Sequence, residues 1–311
     1  MEFRHIPVMY REVLEGLDVK ADGIYVDCTL GGAGHSLGIL KKLNAGGKLI
    51  ANDLDEEALE NGRKVLKEYA DKVTFVHGDY KDLPARLDEL GIGEIDGVLI
   101  DLGVSSPQID NAERGFSYIK NAPLDMRMDR TQALDAKAVV NGYPREELVR
   151  VIREYGEDKL AAKIAAAIVR EREREPIETT ERLASIVEKC YPAAYRYKFG
   201  HPAKRVFQAI RIEVNGELDG LYEFIEAITL RLRKGGRIAV ITFHSLEDRI
   251  VKNVFKELEK DCICDKRLPV CVCGKRQEIK ILTPKPVTAG EEELKENRRA
   301  ESAKLRIAER V

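Results

Sequence analysis

The sequence predicts a doubly wound α/β domain interrupted by an all-helical insertion, and three observations lead to this fold class. The segment Gly23–Ser36 has the pattern of a strand, a glycine turn and a helix. Further short apolar runs follow it, and each ends in acidic or glycine-rich residues. About eighty residues of helical pattern then precede the last apolar run of the series, Arg237–Phe243. A length of 311 residues is sufficient for two domains.

The first unit begins with a β-rich apolar run, Ile24–Val26, which Asp27 closes. Four small residues follow: Gly31, Gly32, Ala33 and Gly34. Glycine lets a backbone approach a ligand closely, and the start of the next helix offers unpaired N–H groups. This turn is therefore predicted to bind a ligand.

Three more runs are predicted to be strands of the same sheet. They are Lys48–Asp53, Val73–Val76 and Ile95–Asp101, and the sequence His77-Gly78-Asp79-Tyr80 follows the second of them. The carboxyl ends of parallel strands lie along one edge of a doubly wound sheet, and ligands bind at that edge. The acidic strand ends are thus expected to lie together around the ligand.

The residues at this edge favour S-adenosylmethionine over a dinucleotide. When the dinucleotide pattern G-x-G-x-x-G is read from Gly32, its third glycine position is Leu37, so the pattern fails. A cofactor without a pyrophosphate has less need of that glycine. Asp53 suits the two ribose hydroxyls, Asp79 the adenine amine and Tyr80 the face of the adenine ring. A dinucleotide-dependent oxidoreductase on the same fold is the alternative.

The helical pattern defines the expected domain organisation. The α/β domain is expected to be discontinuous, over 1–108 and 211–311, with the helical domain inserted at 109–210. Within the insertion, Pro144 suits the first residue of a helix and Thr180 suits the cap of a later one. An insertion near the ligand edge is expected to recognise the substrate.

Composition limits the classes of protein that the chain can belong to. It is 44% hydrophobic and 34% charged with no Trp, as in globular proteins, and its net charge of −2 indicates no overall attraction to nucleic acid. No signal peptide and no membrane-spanning run is recognisable in the sequence. Cytoplasmic location and no membrane partner are expected.

Basic and aromatic residues concentrate in one span of the insertion. The basic ones are Arg196, Lys198, His201, Lys204, Arg205 and Arg211, and the aromatic ones are Tyr195, Tyr197, Phe199 and Phe207. Cations neutralise phosphates and aromatic rings stack on unpaired bases, so this mixture suits single-stranded or looped RNA. A solvated helix face above core aromatics is the alternative interpretation.

The six cysteines divide into two kinds. Cys28 and Cys190 are expected to be small buried residues. The remaining four form two closely spaced pairs, Cys262-x-Cys264 and Cys271-x-Cys273. Two such pairs can close a tetrahedral thiolate site on zinc, although the usual ribbon spacing has two intervening residues. The sequence is compatible with two interpretations of these four cysteines, a structural zinc site and free thiols.

Several motifs together carry a resemblance to a known family over nearly the whole length. They are RHIPVM, DCTLGGAGHS, DLGVSSPQ, ERGFS, PLDMRMD, FQAIRIEVN, FHSLEDRIVK and RAESAKLRIAER. In order and spacing they resemble the bacterial RsmH/MraW family of small-subunit (16S) ribosomal RNA cytosine-N4 methyltransferases. The resemblance implies a Rossmann-like SAM-dependent methyltransferase domain with an inserted all-helical domain, which agrees with the fold class above.

The resemblance also implies where the ligands bind. It assigns the methyl donor to Ala33, Gly34, His35, Asp53, Tyr80, Asp101 and Gln108. The motifs ERGFS and PLDMRMD would form the rim of the substrate pocket through Arg114, Phe116, Asp125 and Arg127. From the basic span described above, Lys198, Lys204 and Arg205 are expected to be further RNA contacts. Many relatives have glycine at position 33, and the four-cysteine segment is present in only some of them.

The chemistry of the implied reaction suggests two catalytic candidates. The exocyclic amine of cytosine is a poor nucleophile because its lone pair is delocalised into the ring. A hydrogen-bond acceptor would localise that lone pair, and Asp101 follows the fourth strand where such an acceptor is needed. His244, at the end of the fifth strand, is a candidate proton acceptor, or alternatively a strand-end histidine bonded to backbone. The target base must be unstacked to reach either group.

The expected partner is small-subunit ribosomal RNA or the small ribosomal subunit, and a homodimer is left open. A non-enzymatic assembly factor that binds RNA and retains the nucleoside site is the second alternative. The complete set of glycine turn, strand-end acids and DLGVSS turn argues against it.

Overall fold

A computed structural model of the protein describes residues 7–192, 200–265 and 270–311. Its Cα atoms divide into two compact units, Met1–Gly103 with Leu218–Val311, and Val104–Glu217. The boundaries expected from the sequence, after 108 and 210, lie a few residues from these divisions.

Along the chain, the helical unit interrupts the α/β unit. The first part of the α/β unit contains α1 (Tyr10–Leu17), β1 (Ile24–Asp27), α2 (Gly34–Leu40), β2 (Lys48–Asp53), α3 (Glu56–Val65), β3 (Val73–His77), α4 (Leu83–Glu89) and β4 (Ile95–Asp101). The helical unit contains α5 (Ser106–Asp110), α6 (Ala136–Gly142), α7 (Arg145–Glu154), α8 (Ala161–Arg172), α9 (Thr180–Glu188) and α10 (Ala203–Asn215). The rest of the α/β unit contains α11 (Leu221–Leu230), β5 (Leu232–Thr242), α12 (Ser245–Glu259), β6 (Ile279–Ile281), α13 (Glu291–Glu296) and β7 (Lys304–Arg310).

The strands form one sheet in the order β3-β2-β1-β4-β5-β7-β6. The five strands β1 to β5 pair in parallel, whereas β7 is antiparallel to both β5 and β6. The strand order reverses between β1 and β4, which makes the carboxyl ends of these two strands the switch point of a doubly wound sheet.

Helices cover both faces of the sheet, because its central strands are apolar on both sides. On one face, residues of α1, α2 and α3 pack against alternate strand residues such as Tyr25, Leu49 and Ile307. On the other, α4, α11 and α12 pack against the intervening residues, such as Val26 and Ile50. The two faces therefore alternate along each strand with the period of two that a pleated sheet requires.

The helical unit has a hydrophobic core of its own. The core includes residues from α6 to α10, among them Val139, Ile152, Ile168 and Val187, all fully buried. In its described residues the unit contributes no strand to the sheet. The sequence prediction of a helical insertion between the fourth and fifth strands agrees with this arrangement.

The helix caps and the C-terminal strands differ from expectation. Thr179, not Thr180, caps α9 by accepting a hydrogen bond from the Arg182 N–H, while Thr180 instead bonds with its Oγ1 to the Lys120 carbonyl. The sequence pattern does not predict the strands β6 and β7. The strand β7 has consecutive buried residues that include Arg306, so neither alternation nor polarity marks it in the sequence.

None of the helices within the three described ranges has the length and apolar content needed to cross a lipid bilayer.

Candidate active site

The carboxyl ends of β1 and β4 lie side by side, and each provides an acidic residue. Asp27 pairs in register with Leu99 of β4, two residues before Asp101. The Cys28 N–H donates to the Leu99 carbonyl at 2.9 Å, and the Asp101 N–H donates to the Thr29 hydroxyl at 2.7 Å. These bonds fix both strand ends at the switch point, where a ligand of a doubly wound domain binds.

The glycine turn after β1 is a tight, internally bonded loop. The Ala33 N–H donates to the Leu30 carbonyl at 2.7 Å, and the Leu30 N–H donates to the Asn52 carbonyl at 2.8 Å. Both Gly31 (φ 47°) and Ala33 (φ 63°) lie in the left-handed region. That conformation costs an alanine roughly 1 kcal/mol relative to glycine, so the loop geometry is imposed on Ala33 by its surroundings. The fully buried Ala33 then begins α2, whose first residues are Gly34 and His35.

Asp27 stabilises this loop through hydrogen bonds of its buried side chain. Its side chain is 1% exposed, and it accepts hydrogen bonds from the Ser36 hydroxyl at 2.6 Å and from the Thr29 N–H at 3.2 Å. Burial away from water raises the pKa of the carboxyl to about 7, and the nearby Asp53 raises it further. Asp27 therefore ties the strand end to the first turn of α2.

Asp53, at the end of β2, is bonded to the glycine turn. One carboxylate oxygen accepts from the Gly31 N–H and the other from the Asp55 N–H, both at 2.8 Å. Each oxygen retains capacity for a further hydrogen bond. Burial raises the pKa of this carboxyl to about 6. The geometry leaves Asp53 able to accept from two hydroxyl groups, as its assignment to ribose requires.

Of the three acids Asp27, Asp53 and Asp101, Asp101 has the pKa that is raised furthest above its usual value. Its side chain is about a quarter exposed, but its Oδ1 atom is buried and has no hydrogen-bond partner among the described residues. Burial raises its pKa to about 8, with further contributions from Asp27 and Glu247. The Nε2 atom of His35 lies 3.8 Å from Asp101 Oδ2, too far for a hydrogen bond but close enough for a charge on one group to affect the other.

The three acids Asp27, Asp53 and Asp101 share an electrostatic property. Each has a raised pKa, and none of them forms an ion pair with Lys or Arg in the described part of the chain. Clustered carboxylates without a protein cation favour a positively charged ligand, because it stabilises their ionised forms. S-adenosylmethionine carries a sulfonium and an ammonium group, and its positive charges fit this cluster of carboxylates.

Tyr80 lies just beyond β3 and forms part of an aromatic pair. Its ring centroid is 4.9 Å from that of Phe224, and Lys81 Nζ lies 5.8 Å from the Tyr80 ring centroid. Asp79 accepts from the Lys81 N–H at 3.0 Å and lies 3.2 Å from Lys81 Nζ. The predicted adenine contacts thus occupy neighbouring positions on one turn, and Asp79 carries a cation partner there.

His244 is held as the N-cap of α12. Its Nδ1 accepts from the Glu247 N–H at 3.4 Å, while Glu247 accepts from the N–H groups of Phe243 and His244. The His244 Nε2 atom lies 3.1 Å from Glu247 Oε1. This reciprocal capping gives His244 a structural task, as in the alternative interpretation of this residue, and its catalytic role stays a prediction.

The structure adds residues that sequence reasoning did not single out. Asn52 is 1% exposed, and its side-chain amide donates to the carbonyls of Cys28 and Gly78 at 3.0 and 3.1 Å. It therefore fixes the ends of β1 and β3 on either side of β2. A polar residue at the penultimate position of an apolar strand is the signal that could have identified it.

Several candidates in the helical unit support its own fold. Arg114 is 3% exposed, and its guanidinium donates to the carbonyls of Arg127 and Met128 at 3.0 and 3.1 Å. Arg127 binds Asp125 through two nitrogens at 2.8 and 2.9 Å, and this pairing lowers the pKa of Asp125. These three side chains stabilise the segment between α5 and α6. Phe116 lies beside Arg114, with the guanidinium 6.0 Å from its ring centroid.

The basic span divides into exposed and engaged residues. Lys204 and Arg205 are exposed on the first turn of α10, whereas Phe207 is a core residue and Arg211 pairs with Glu217 through two 2.8 Å bonds. Lys198, Arg196 and the aromatic residues between 195 and 199 lie outside the described residues. Gln108 is 5% exposed, and its side chain accepts from the Ser105 N–H at 2.9 Å.

Three features at the switch point of this sheet define the class of protein. They are a glycine turn, an acid placed to accept from ribose hydroxyls, and a cluster of carboxylates without a Lys or Arg partner among the described side chains. The protein has the Rossmann-like fold of SAM-dependent methyltransferases. A family model described as the MraW methylase family matches residues 2–311. The chain belongs to this family.

Curated relatives match over the full length. Proteins of Clostridioides difficile (strain 630) and Clostridium botulinum (strain Kyoto) are 51% and 53% identical over 311 residues, which is 100% of this chain and 100% of each relative. A protein of Lachnospira eligens is 51% identical over 100% of this chain and 99% of its own length. All three are named ribosomal RNA small subunit methyltransferase H.

Among solved structures, an rRNA methylase from Streptococcus thermophilus aligns with 97% of this chain and 95% of its own, at a TM-score of 0.40 and 14% identity. That similarity is too low to support a functional inference.

Proposed function

We propose that this protein transfers a methyl group from S-adenosylmethionine to the exocyclic N4 amine of a cytidine in small-subunit ribosomal RNA. The observation that carries the proposal is a sequence identity of 51–53% over the full length. The relatives concerned are named as small-subunit ribosomal RNA methyltransferases. The choice of cytosine and of N4 follows from the motifs that resemble the RsmH/MraW family. A ribosomal substrate is consistent with a cytoplasmic enzyme.

The donor is proposed to bind along the carboxyl ends of β1 to β4. Asp53 would accept from the ribose hydroxyls and Tyr80 would contact the adenine, while the loop residues Ala33, Gly34 and His35 would contact the remaining part of the donor. Gln108 is assigned to the donor by resemblance. When bound, S-adenosylmethionine supplies an electrophilic methyl group on a positively charged sulfur.

The task of the protein in this displacement is chiefly positioning. Asp101 would accept a hydrogen bond from the target amine through its carboxylate, which is about a quarter exposed at the end of β4. As the amine nitrogen forms its bond to the methyl carbon, the carbon–sulfur bond breaks and the amine loses a proton. An ionised Asp101 can take that proton or pass it to water. A nearby sulfonium charge favours the ionised form of Asp101 that this role needs.

The helical unit is proposed to bind the RNA. Lys204 and Arg205 offer exposed cations on one helix turn, and Phe116 is partly buried at the core of the unit. Lys198, Arg114, Asp125 and Arg127 complete the proposed set. Because Arg114 is buried and bonded to backbone, its proposed contribution is to hold the segment that forms the pocket rim.

The direct test is incubation of small ribosomal subunits and of naked small-subunit RNA with isotopically labelled S-adenosylmethionine, followed by nucleoside mass analysis. Label in N4-methylcytidine is the expected result. Label in another nucleoside would contradict the proposed target atom. A protein that binds the donor but labels neither substrate would instead support the assembly-factor alternative.

The raised pKa values predict how pH affects the ligand-free protein. Asp27, Asp53 and Asp101 bind protons in the folded state up to about pH 7, 6 and 8, whereas unfolded aspartates lose theirs near pH 4. The stability that these groups contribute is present at low pH and is lost as pH rises through 6 to 8. We expect Tm to fall by about 3 °C or more between pH 5.5 and 8.5.

Thermal unfolding with and without ligand checks this expectation. S-adenosylmethionine should stabilise the protein increasingly over S-adenosylhomocysteine as pH rises, because only the former carries the sulfonium charge. In Asp101→Asn the upper part of the pH dependence should flatten. A difference between the two ligands that is independent of pH would show that the acids do not sense the sulfonium.

A further inference from the structure

The four cysteines between α12 and β6 come together in space. Their sulfur atoms all lie within 4.8 Å of one another. Cys271 Sγ is 3.5 Å from those of Cys262 and Cys273 and 3.9 Å from that of Cys264, and the Cys262 and Cys273 sulfurs are 3.8 Å apart. None of these cysteines is in a disulfide, for which the sulfur atoms would be about 2.05 Å apart.

These separations match one tetrahedral metal ion. Four thiolates bound to zinc at about 2.3 Å stand about 3.8 Å from one another, by the geometry of a tetrahedron. In a cluster of several irons the cysteines bind different metal atoms, so their sulfurs lie further apart than those of a single-ion site. The observed spacing therefore indicates a mononuclear site.

The backbone around the sulfurs is arranged as the outer shell of such a site. The N–H groups of Ile263 and Val272 point to the sulfurs of Cys273 and Cys264, at 3.4 and 3.3 Å. The Cys264 N–H points to Cys262 Sγ at 3.4 Å. Donors of this kind stabilise the negative charge on thiolate ligands and orient them.

The large apolar residues of this segment that the structure describes are exposed. Ile263, Val270 and Val272 are 58%, 70% and 77% exposed, so they form no core. The segment is closed at its base by the Glu278 N–H, which donates to the Leu258 carbonyl at 2.9 Å. Small excursions without an apolar core depend on cross-links or metal ions for a defined structure.

We propose that Cys262, Cys264, Cys271 and Cys273 bind one structural Zn²⁺ ion that orders the excursion between α12 and β6. The site shares no residue with the strand-end acids, and four thiolates leave no open coordination position on zinc, so its proposed role is structural. This inference does not depend on the proposed function.

Metal analysis of the purified full-length protein tests the site. The wild type is expected to contain one equivalent of zinc per chain, and Cys271→Ser is expected to lose it. Cobalt substitution should give the intense visible absorption of a tetrahedral thiolate complex. Cys190→Ser, which alters a buried cysteine of the helical unit, is the matched control and should retain the zinc.

Binding of S-adenosylmethionine gives an independent check of folding. It should be unchanged in Cys271→Ser, while proteolysis within the excursion becomes faster, as it also should when zinc is removed from the wild type by a chelator. Three results would each overturn the proposal. They are iron in place of zinc, alkylation of all four thiols in the untreated protein, and a molecular mass lowered by the hydrogens lost in disulfide formation.

Discussion

Replacing Asp101 by asparagine is expected to lower the rate of methyl transfer by about 100-fold or more, because general-base groups typically contribute 10²- to 10⁴-fold. The amide has nearly the same volume, but it cannot accept a proton and carries no charge. Asp101 lies at the end of β4, at the switch point, with its carboxylate about a quarter exposed, and it is the group proposed to hold the target amine. Single-turnover rates at saturating donor measure the effect.

The donor-binding role that the resemblance also gives to Asp101 can be separated from the catalytic one. The Kd for S-adenosylmethionine, measured by calorimetry, should change much less than the rate. Asp88→Asn is the control, since it removes an exposed acid that pairs with Arg231 at the end of α4. It should change the rate by no more than about twofold. A rate for Asp101→Asn near wild type, with donor binding intact, would refute the proposed role.

Replacing Asp53 by asparagine is expected to weaken binding of the donor by about 100-fold, from the loss of charge-assisted hydrogen bonds worth about 1.5–3 kcal/mol each. Each carboxylate oxygen already accepts a backbone N–H, from Gly31 on one side and Asp55 on the other. An asparagine NH₂ group would face one of these donors with another donor. The substitution therefore removes the proposed ribose contact and disturbs the glycine turn at the same time.

Calorimetric titration with both S-adenosylmethionine and S-adenosylhomocysteine measures this loss, because both ligands have the ribose. Asp55→Asn is a closely matched control: Asp55 caps α3 by accepting from the Glu57 N–H, and asparagine caps helices equally well. It should bind both ligands with wild-type affinity. If Asp53→Asn also bound them with unchanged affinity, the ribose would have to be bound elsewhere.

Much of the α/β architecture could be predicted because its signals are local. The run Lys48–Asp53 and the run Ile95–Asp101 are strands with the bounds that the sequence indicates. An apolar run, a polar strand end and a glycine turn each depend on neighbouring residues alone. The parallel sheet then brings Asp27, Asp53 and Asp101 to one edge, so the acids of the candidate site could be found without coordinates.

Other features depend on residues far apart in the chain. The strand β7 contains a buried Arg306, which is accommodated because Asp248 of α12 accepts from its guanidinium at 2.6 Å. A local sequence pattern does not predict a strand whose buried Arg306 is paired with an acid 58 residues away. The same holds for Arg114, which the motif ERGFS places at the expected pocket rim and which the structure buries against the backbone carbonyls of Arg127 and Met128.

The amino-acid sequence was sufficient to establish the fold class, the family, the order of the first five strands along the chain and the acids at their ends. Packing of the folded chain establishes which groups are buried, hydrogen-bonded or brought together. It raised the pKa of Asp101 by burial, gave His244 a capping partner and placed four cysteine sulfurs at the spacing of a single metal ion. Burial and distance are properties of the packed chain, since they arise from residues that meet only after folding.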